Sequence, residues 1–161
     1  EDFEQVSNQG KSIKTEVMSL PEKEVSNNGP IELKSLFSPL PLRKASPKIT
    51  PNLAMRPWVF KWLFGDYPAF IKATKIGNIL LIGMPCDFSG ELMADLDKYA
   101  ERKGLQLIVT SFNGAYAGYI TADQYFDLDN YETVTMSWFG PYNGAYFSEV
   151  IKDIINKTSS K

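Results

Sequence analysis

The 161-residue chain contains no histidine and one cysteine, Cys86. The first absence removes the usual base partner of a nucleophilic serine or cysteine and the commonest metal ligand, so any metal centre built from this chain alone must rely on carboxylates and phenols. The second excludes an internal disulfide framework and a cysteine-based zinc knuckle, while leaving the compartment open. Excess charge is lacking too: the formal charge is -2 and the isoelectric point about 5.2. With no basic footprint, nucleic acid is not an expected partner. No apolar run approaches the roughly 18 residues a spanning helix needs. The amino end, EDFEQVSNQGKSIK, has neither an initiator methionine nor a signal-peptide pattern, so the chain is expected to be a processed or truncated piece. What is present is ordinary globular material, 43% apolar and 22% charged, enough for one domain with a core.

Three parts are expected: an amino-terminal strand and proline-rich connection over 1–57, an α/β core segment over 58–156, and a polar tail over 157–161. Ser12 to Leu20 alternates, with Ile13, Thr15 and Val17 on one side, and reads as a strand stopped by Pro21. From Pro21 to Pro57 lie seven of the ten prolines, a composition that resists regular structure and suggests a long connection hugging the surface of a larger protein. Arg56 to Gly65 predicts a short helix, with proline at its first position and glycine past its end. Aromatic residues nearly surround that helix; burial between layers is the preferred reading, a lipid-facing or acyl-binding wedge the other.

The core segment carries the clearest signals. Phe70 to Ile76 and Ile79 to Gly83 flank Gly77-Asn78, a hairpin spacing. Ile79 to Gly83 and Leu105 to Thr110 read as buried strands, and Leu92, Leu96, Tyr99, Ala100 and Lys103 recur between them at helical spacing, with Ser89 as candidate N-cap and Gly104 past the end. A right-handed crossover makes these two strands parallel. Thr121 to Gln124 has the form of a capping box opening a brief helix. A last helix near 143–156 places Tyr146, Phe147, Val150, Ile151 and Ile154 on one stripe. The expected fold class is therefore mixed α/β: a β-α-β unit with a hairpin in a mixed sheet flanked by helices, part of a larger catalytic domain.

In such a sheet, the loops after the two parallel strands leave the same edge, where ligands bind. They are Met84 to Glu91 (MPCDFSGE) and Phe112 to Thr121 (FNGAYAGYIT). Asp87 can gain from a helix's positive end and ligate a cation, or serve as an N-cap or loop brace. Cys86 reads as a buried structural thiol rather than a nucleophile, since no imidazole accompanies it. Tyr116-Ala117-Gly118-Tyr119 is either a packed aromatic turn or a ligand-approaching loop. Asn156-Lys157-Thr158 fits the glycosylation pattern, a motif too short to carry weight.

Taken in order, the two loops resemble the carboxyl-terminal part of the catalytic domain of neutral/alkaline non-lysosomal ceramidases. That family has a Pro-Gly-Glu-Phe-Thr-Thr loop before a helix, and Pro85, Asp87 and Phe88 occupy three of its positions. In the later loop Tyr116, Tyr119, Ile120, Thr121, Tyr125, Tyr131 and Glu132 match, and Gly140-Pro141 and Ala145-Tyr146 resemble two further pairs displaced by one residue. The similarity spans Ile76 to Ile151. It implies a zinc amidase that cleaves the N-acyl bond of ceramide, a lipid amide, with zinc held by two histidines, a glutamate and a tyrosine. The glutamate position falls on Asp87, one methylene shorter, and the tyrosine ligand on Tyr119. The histidines, and a serine near the metal, belong to the amino-terminal portion of the polypeptide, the implied partner of this chain, which alone is expected to be inactive. The resemblance further implies a secreted, periplasmic or cell-surface location. The alternative is a non-enzymatic binding or accessory α/β domain that keeps the fold without the metal site.

Overall fold

The computed structural model describes residues 2–20 and 31–159. The chain divides into two compact units, Glu1–Pro30 and Ile31–Lys161. In the first, Asp2–Ser19 is a helix, α1. The strand expected over Ser12 to Leu20 is thus corrected. Ile13 and Val17, two apart from Thr15 in an alternating reading, are also four apart, which suits one helical face. The glutamate, glutamine, lysine and methionine around them favour helix. Every described side chain of α1 is exposed. A helix satisfies its backbone internally there, with Thr15 Oγ1 donating to the Lys11 carbonyl at 2.9 Å and Ser19 Oγ to that of Glu16 at 2.7 Å.

The second unit corrects the proline-rich connection as well, and it begins inside the stretch so assigned; residues 21–30 lie outside the described residues. Leu33–Leu40 is an eight-residue strand, β1, and Lys48–Thr50 (β2) pairs with Leu53–Ala54 (β3). Pro39 is tolerated because β1 is an edge strand, where a missing N–H can face away from the ladder. The predicted helix forms as α2, Pro57–Phe64, closed by Gly65. Ala69–Ile76 (β4) and Ile79–Gly83 (β5) make the expected hairpin, Ile76 opposite Ile79. Its turn needs Gly77, at φ 60°.

After β5 come a two-residue strand, Asp87–Phe88 (β6), a 3₁₀ turn over Gly90–Leu92, helix α3 (Met93–Glu101) and strand β7 (Gln106–Thr110). β5 and β7 are parallel, so the β-α-β unit forms as the spacing predicts. The four-stranded mixed sheet has the order β1-β4-β5-β7, with β1-β4 and β4-β5 antiparallel. Tyr119–Ile120 (β8), a 3₁₀ turn over Asp123–Tyr125, a one-turn helix Tyr131–Val134 (α4) and helix α5, Asn143–Ser159, complete the chain. The capping role differs from expectation. The Asp123 carboxylate accepts from the N–H groups of Gly144 and Ala145 at 3.0 and 3.2 Å, so it caps α5 rather than its own turn. The polar tail is also shorter than expected: α5 runs to Ser159, and Thr158 is buried, its hydroxyl donating to the Ile154 carbonyl at 2.8 Å.

α3 and α5 cover one face of the sheet, where Ile71, Leu80, Ile82, Leu96, Phe147 and Ile151 form the core. The alternation of the strands places Leu33, Phe37, Ile76, Ile79, Leu81 and Ile108 on the opposite face, and all six are exposed. A sheet with a parallel pair and one bare apolar face departs from the usual rule that both faces are covered.

Candidate functional site

The loops leaving β5 and β7 knit together through their backbones. Met84 N–H donates to the Thr110 carbonyl at 2.8 Å, Asn113 N–H to that of Met84 at 2.9 Å, and Ala117 N–H to that of Pro85 at 2.6 Å. The result is a second, two-stranded parallel ladder just beyond the sheet's carboxyl edge, β6 against β8, in which Asp87 is the register partner of Tyr119. Asp87 N–H donates to the Gly118 carbonyl at 2.9 Å and Ser89 N–H to that of Ile120 at 3.0 Å. Paired residues of a parallel ladder share a face, so the Asp87 carboxylate and the Tyr119 phenol emerge side by side. Phe88 and Ile120, on the other face, are buried and anchor the ladder in the core.

Ser89, the candidate N-cap, precedes the Gly90–Leu92 turn rather than α3, whose N-cap position is Leu92, and its hydroxyl makes no capping hydrogen bond. Among the described residues the Asp87 carboxylate accepts no hydrogen bond either, and no side-chain oxygen is buried without a partner. It is therefore neither cap nor brace, and the half-buried carboxylate acts by its charge on the phenols of Tyr116 and Tyr119. Burial raises the Tyr119 hydroxyl's pKa above its ordinary value, and the negative charge of Asp87, then of Glu132 and Glu91, pushes the same way. Tyr116 is raised likewise, by burial first and Asp87 second. A cation at this place would oppose these effects by stabilising phenolate and carboxylate together.

Cys86 is fully buried, and burial, with Asp87 beside it, pushes its thiol up to about 12. A thiol so placed is neither nucleophile nor ligand. The native chain is expected to resist alkylation at neutral pH and to react fully once unfolded, which mass analysis after iodoacetamide treatment checks. The raised values also set the alkaline limit. A group whose pKa is higher folded than unfolded contributes stability below its unfolded value and loses it as pH rises through the folded one. For Cys86 that window runs from 9.0 to about 12, and Tyr116, Tyr119 and Tyr146 act with the same sign. Chemical denaturation should show stability falling across this window, less steeply in Cys86→Ala.

An aromatic row extends from the site. Phe112 stacks on Tyr116 with centroids 5.6 Å apart, Tyr116 meets Trp138 edge-on at 5.2 Å, and Trp138 continues to Phe60 of α2 at 5.2 Å and to Tyr67 at 5.4 Å. Sequence reasoning missed Trp138 and Phe112. Trp138-Phe139-Gly140-Pro141, an aromatic pair before a turn, was the available signal for the first. Phe112 stands at φ 60°, outside any pattern of spacing.

As to a metal, Asp87 and Tyr119 offer two oxygen donors of a kind zinc accepts, and among the described residues no group of three or more histidines, cysteines, aspartates or glutamates gathers. The residues present fit part of a zinc site and not a whole one.

No protein-family model matches the chain, and no curated protein sequence does. Solved structures do. The crystal structure of neutral ceramidase from Pseudomonas aeruginosa superposes with a TM-score of 0.58 at 15% identity, covering 80% of this chain and 28% of that one. The chain shares its fold with part of a neutral ceramidase. A ceramidase complexed with C2 gives a TM-score of 0.59 at 16% identity, covering 77% of this chain and 30% of the other. The chain thus spans less than a third of the length of these ceramidases. The mixed architecture expected from the sequence is the one found, and it matches part of the ceramidase fold.

Proposed function

We propose that this chain is the carboxyl-terminal part of a ceramidase-like, zinc-dependent amidohydrolase that cleaves the N-acyl bond of ceramide or a related lipid amide. The observation that carries the reading is the register pairing of Asp87 with Tyr119 at the sheet's carboxyl edge, in a fold shared with neutral ceramidases. Asp87 would hold the metal through a carboxylate oxygen and Tyr119 through its phenol, while imidazoles from the rest of the polypeptide complete the coordination. A zinc ion with an open position polarises an amide carbonyl and makes a bound water nucleophilic near neutral pH. The chain's own contribution is positioning: the β6-β8 ladder fixes both donors on a core-anchored backbone, and the wall of Phe112, Tyr116 and Trp138 offers an apolar, water-excluding flank to a lipid chain.

The bare sheet face supports the same reading. Its leucines, isoleucines and Phe37 suit a second layer of protein supplied by the remaining amino-terminal polypeptide. A secreted, periplasmic or cell-surface location belongs to this proposal; among the described residues no helix is long and apolar enough to cross a membrane. The test is metal analysis combined with an amide-release assay on an N-acylated sphingoid lipid. Joined to the remaining polypeptide, the protein should hold one zinc per site and release fatty acid, whereas the isolated 161 residues should do neither. A joined protein without zinc or hydrolysis would replace the proposal with the accessory-domain reading.

A further inference from the structure

Two of the surfaces that exposed apolar residues form in the second unit differ chemically. The sheet face is mainly aliphatic. The other surface surrounds α2 and combines indoles with cations. Trp58 and Trp62 are 67% and 77% exposed, and Leu63 and Phe64 are exposed beside them. Four residues apart, the two indoles share the side of the helix away from Phe60, its one buried residue. A groove of about 840 Å³ runs alongside, lined among others by Trp58, Tyr67, Arg43, Lys44 and Lys61. Between Pro41 and Pro68 there are five basic residues and one acidic, in a chain whose overall charge is -2. Of the five, Lys48 is engaged with Phe126, donating to its carbonyl at 2.7 Å and lying over its ring. Arg43 donates to the Pro141 carbonyl at 3.1 Å and Lys61 pairs with Asp66 at 2.8 Å, but Arg43, Lys44, Arg56 and Lys61 all remain exposed. An exposed pair such as Lys61–Asp66 holds its charges only weakly.

We propose that α2 and the adjoining Pro41–Ala45 segment form a docking surface for an anionic lipid bilayer. Tryptophan sits at the level of lipid headgroups, with its ring in the apolar boundary and its N–H in the wet region, and cations beside it meet the phosphates. The concentration of positive charge on this one segment of an acidic chain is the complementarity that fits an anionic bilayer. A short helix with both indoles on its outer side would lie in the interfacial plane. The aromatic row of Trp138 and Tyr116 meets α2 at Phe60, on the side of the helix opposite the two indoles. The proposal does not depend on the metal reading and can fail or stand without it.

The test is co-sedimentation of the full 161-residue chain with vesicles of phosphatidylcholine alone, or of phosphatidylcholine and phosphatidylserine in equal parts. Binding to the mixed vesicles should exceed binding to phosphatidylcholine by about tenfold or more and should fall as salt is raised. Arg56→Gln and Lys61→Gln should each weaken it about fivefold. Trp58→Ala with Trp62→Ala should weaken it by about tenfold or more, with an unchanged circular dichroism spectrum because both rings are exposed. Leu81→Ser, on the sheet face, should leave it unaltered. Equal binding to both vesicle types, or vesicle binding lost in Leu81→Ser and kept in the α2 variants, would overturn the proposal, as would no binding at all.

Discussion

Gly118→Ala is expected to destabilise the second unit by about 3 kcal/mol or more, the combined scale of a left-handed alanine and an overpacked contact. Gly118 stands at φ +71°, which L side chains rarely adopt, and a Cβ there would strike the Met136 carbonyl oxygen and sit 3.1 Å from the Trp138 ring. That carbonyl cannot yield freely, because it accepts the Tyr119 N–H at 2.8 Å, while the Gly118 carbonyl accepts the Asp87 N–H at 2.9 Å. Relieving the clash therefore loosens the ladder that aligns Asp87 with Tyr119. Gly104→Ala is the internal control. Its φ is +72° but nothing lies within 4 Å of the added carbon, so it carries the conformational cost alone, about 1 kcal/mol. Denaturant unfolding of both variants separates the two terms, and equal losses would mean that the close approach at Gly118 constrains nothing.

The contrast between Gly118 and Asp87 shows what the sequence could and could not disclose. The hairpin, the β-α-β unit and the placement of both loops at one edge followed from local signals: alternation, helical spacing, and glycine after a helix or in a two-residue turn. The crossover rule brings the ends of parallel neighbours together and so set Asp87 near a loop tyrosine, while the choice of Tyr119 over Tyr116 rested on the ceramidase resemblance. Gly118's constraint comes from Met136 and Trp138, distant in sequence, and no period reports it. The amino-terminal errors have a related cause. Three alternating residues, Ile13, Thr15 and Val17, also satisfy helical spacing, and only an available partner strand would have decided for a sheet. β1 was hidden by Pro39 and the prolines around it. A proline argues against a central strand, but β1 lies at the edge, which depends on pairing with Ala69–Ile76 rather than on β1's own residues. The helix α2 was placed correctly and its environment was not. Burial was expected from its aromatic residues, yet only Phe60 of this helix is buried, because apolar content alone does not say what covers a helix.

In the protein joined to its remaining polypeptide, Asp87→Ala and Tyr119→Phe should each lower zinc occupancy and cut amide hydrolysis by at least about a hundredfold, more than loss of an outer-shell partner commonly costs. The fold should survive both changes. Asp87 contributes its backbone to the ladder, which alanine keeps, and its carboxylate is half-exposed and without hydrogen bonds among the described residues. Tyr119→Phe removes one oxygen from a ring that otherwise stays in place. Asp87→Glu separates ligation from mere negative charge. It restores the methylene by which this loop differs from the ceramidase pattern, so it should retain zinc where Asp87→Asn, equal in size but neutral, loses it. The Tyr119 phenol gives a second readout. With Asp87 neutralised, its pKa should fall toward the ordinary value in the isolated chain, because one of its two largest raising influences is gone. NMR titration of the Tyr119 ring, its signal assigned by its loss in Tyr119→Phe, measures this without any metal. Full zinc occupancy in Asp87→Ala and Tyr119→Phe, alongside a Tyr119 titration that does shift, would show that the two groups are neighbours without being ligands, and the metal would then have to be held entirely by the remaining polypeptide.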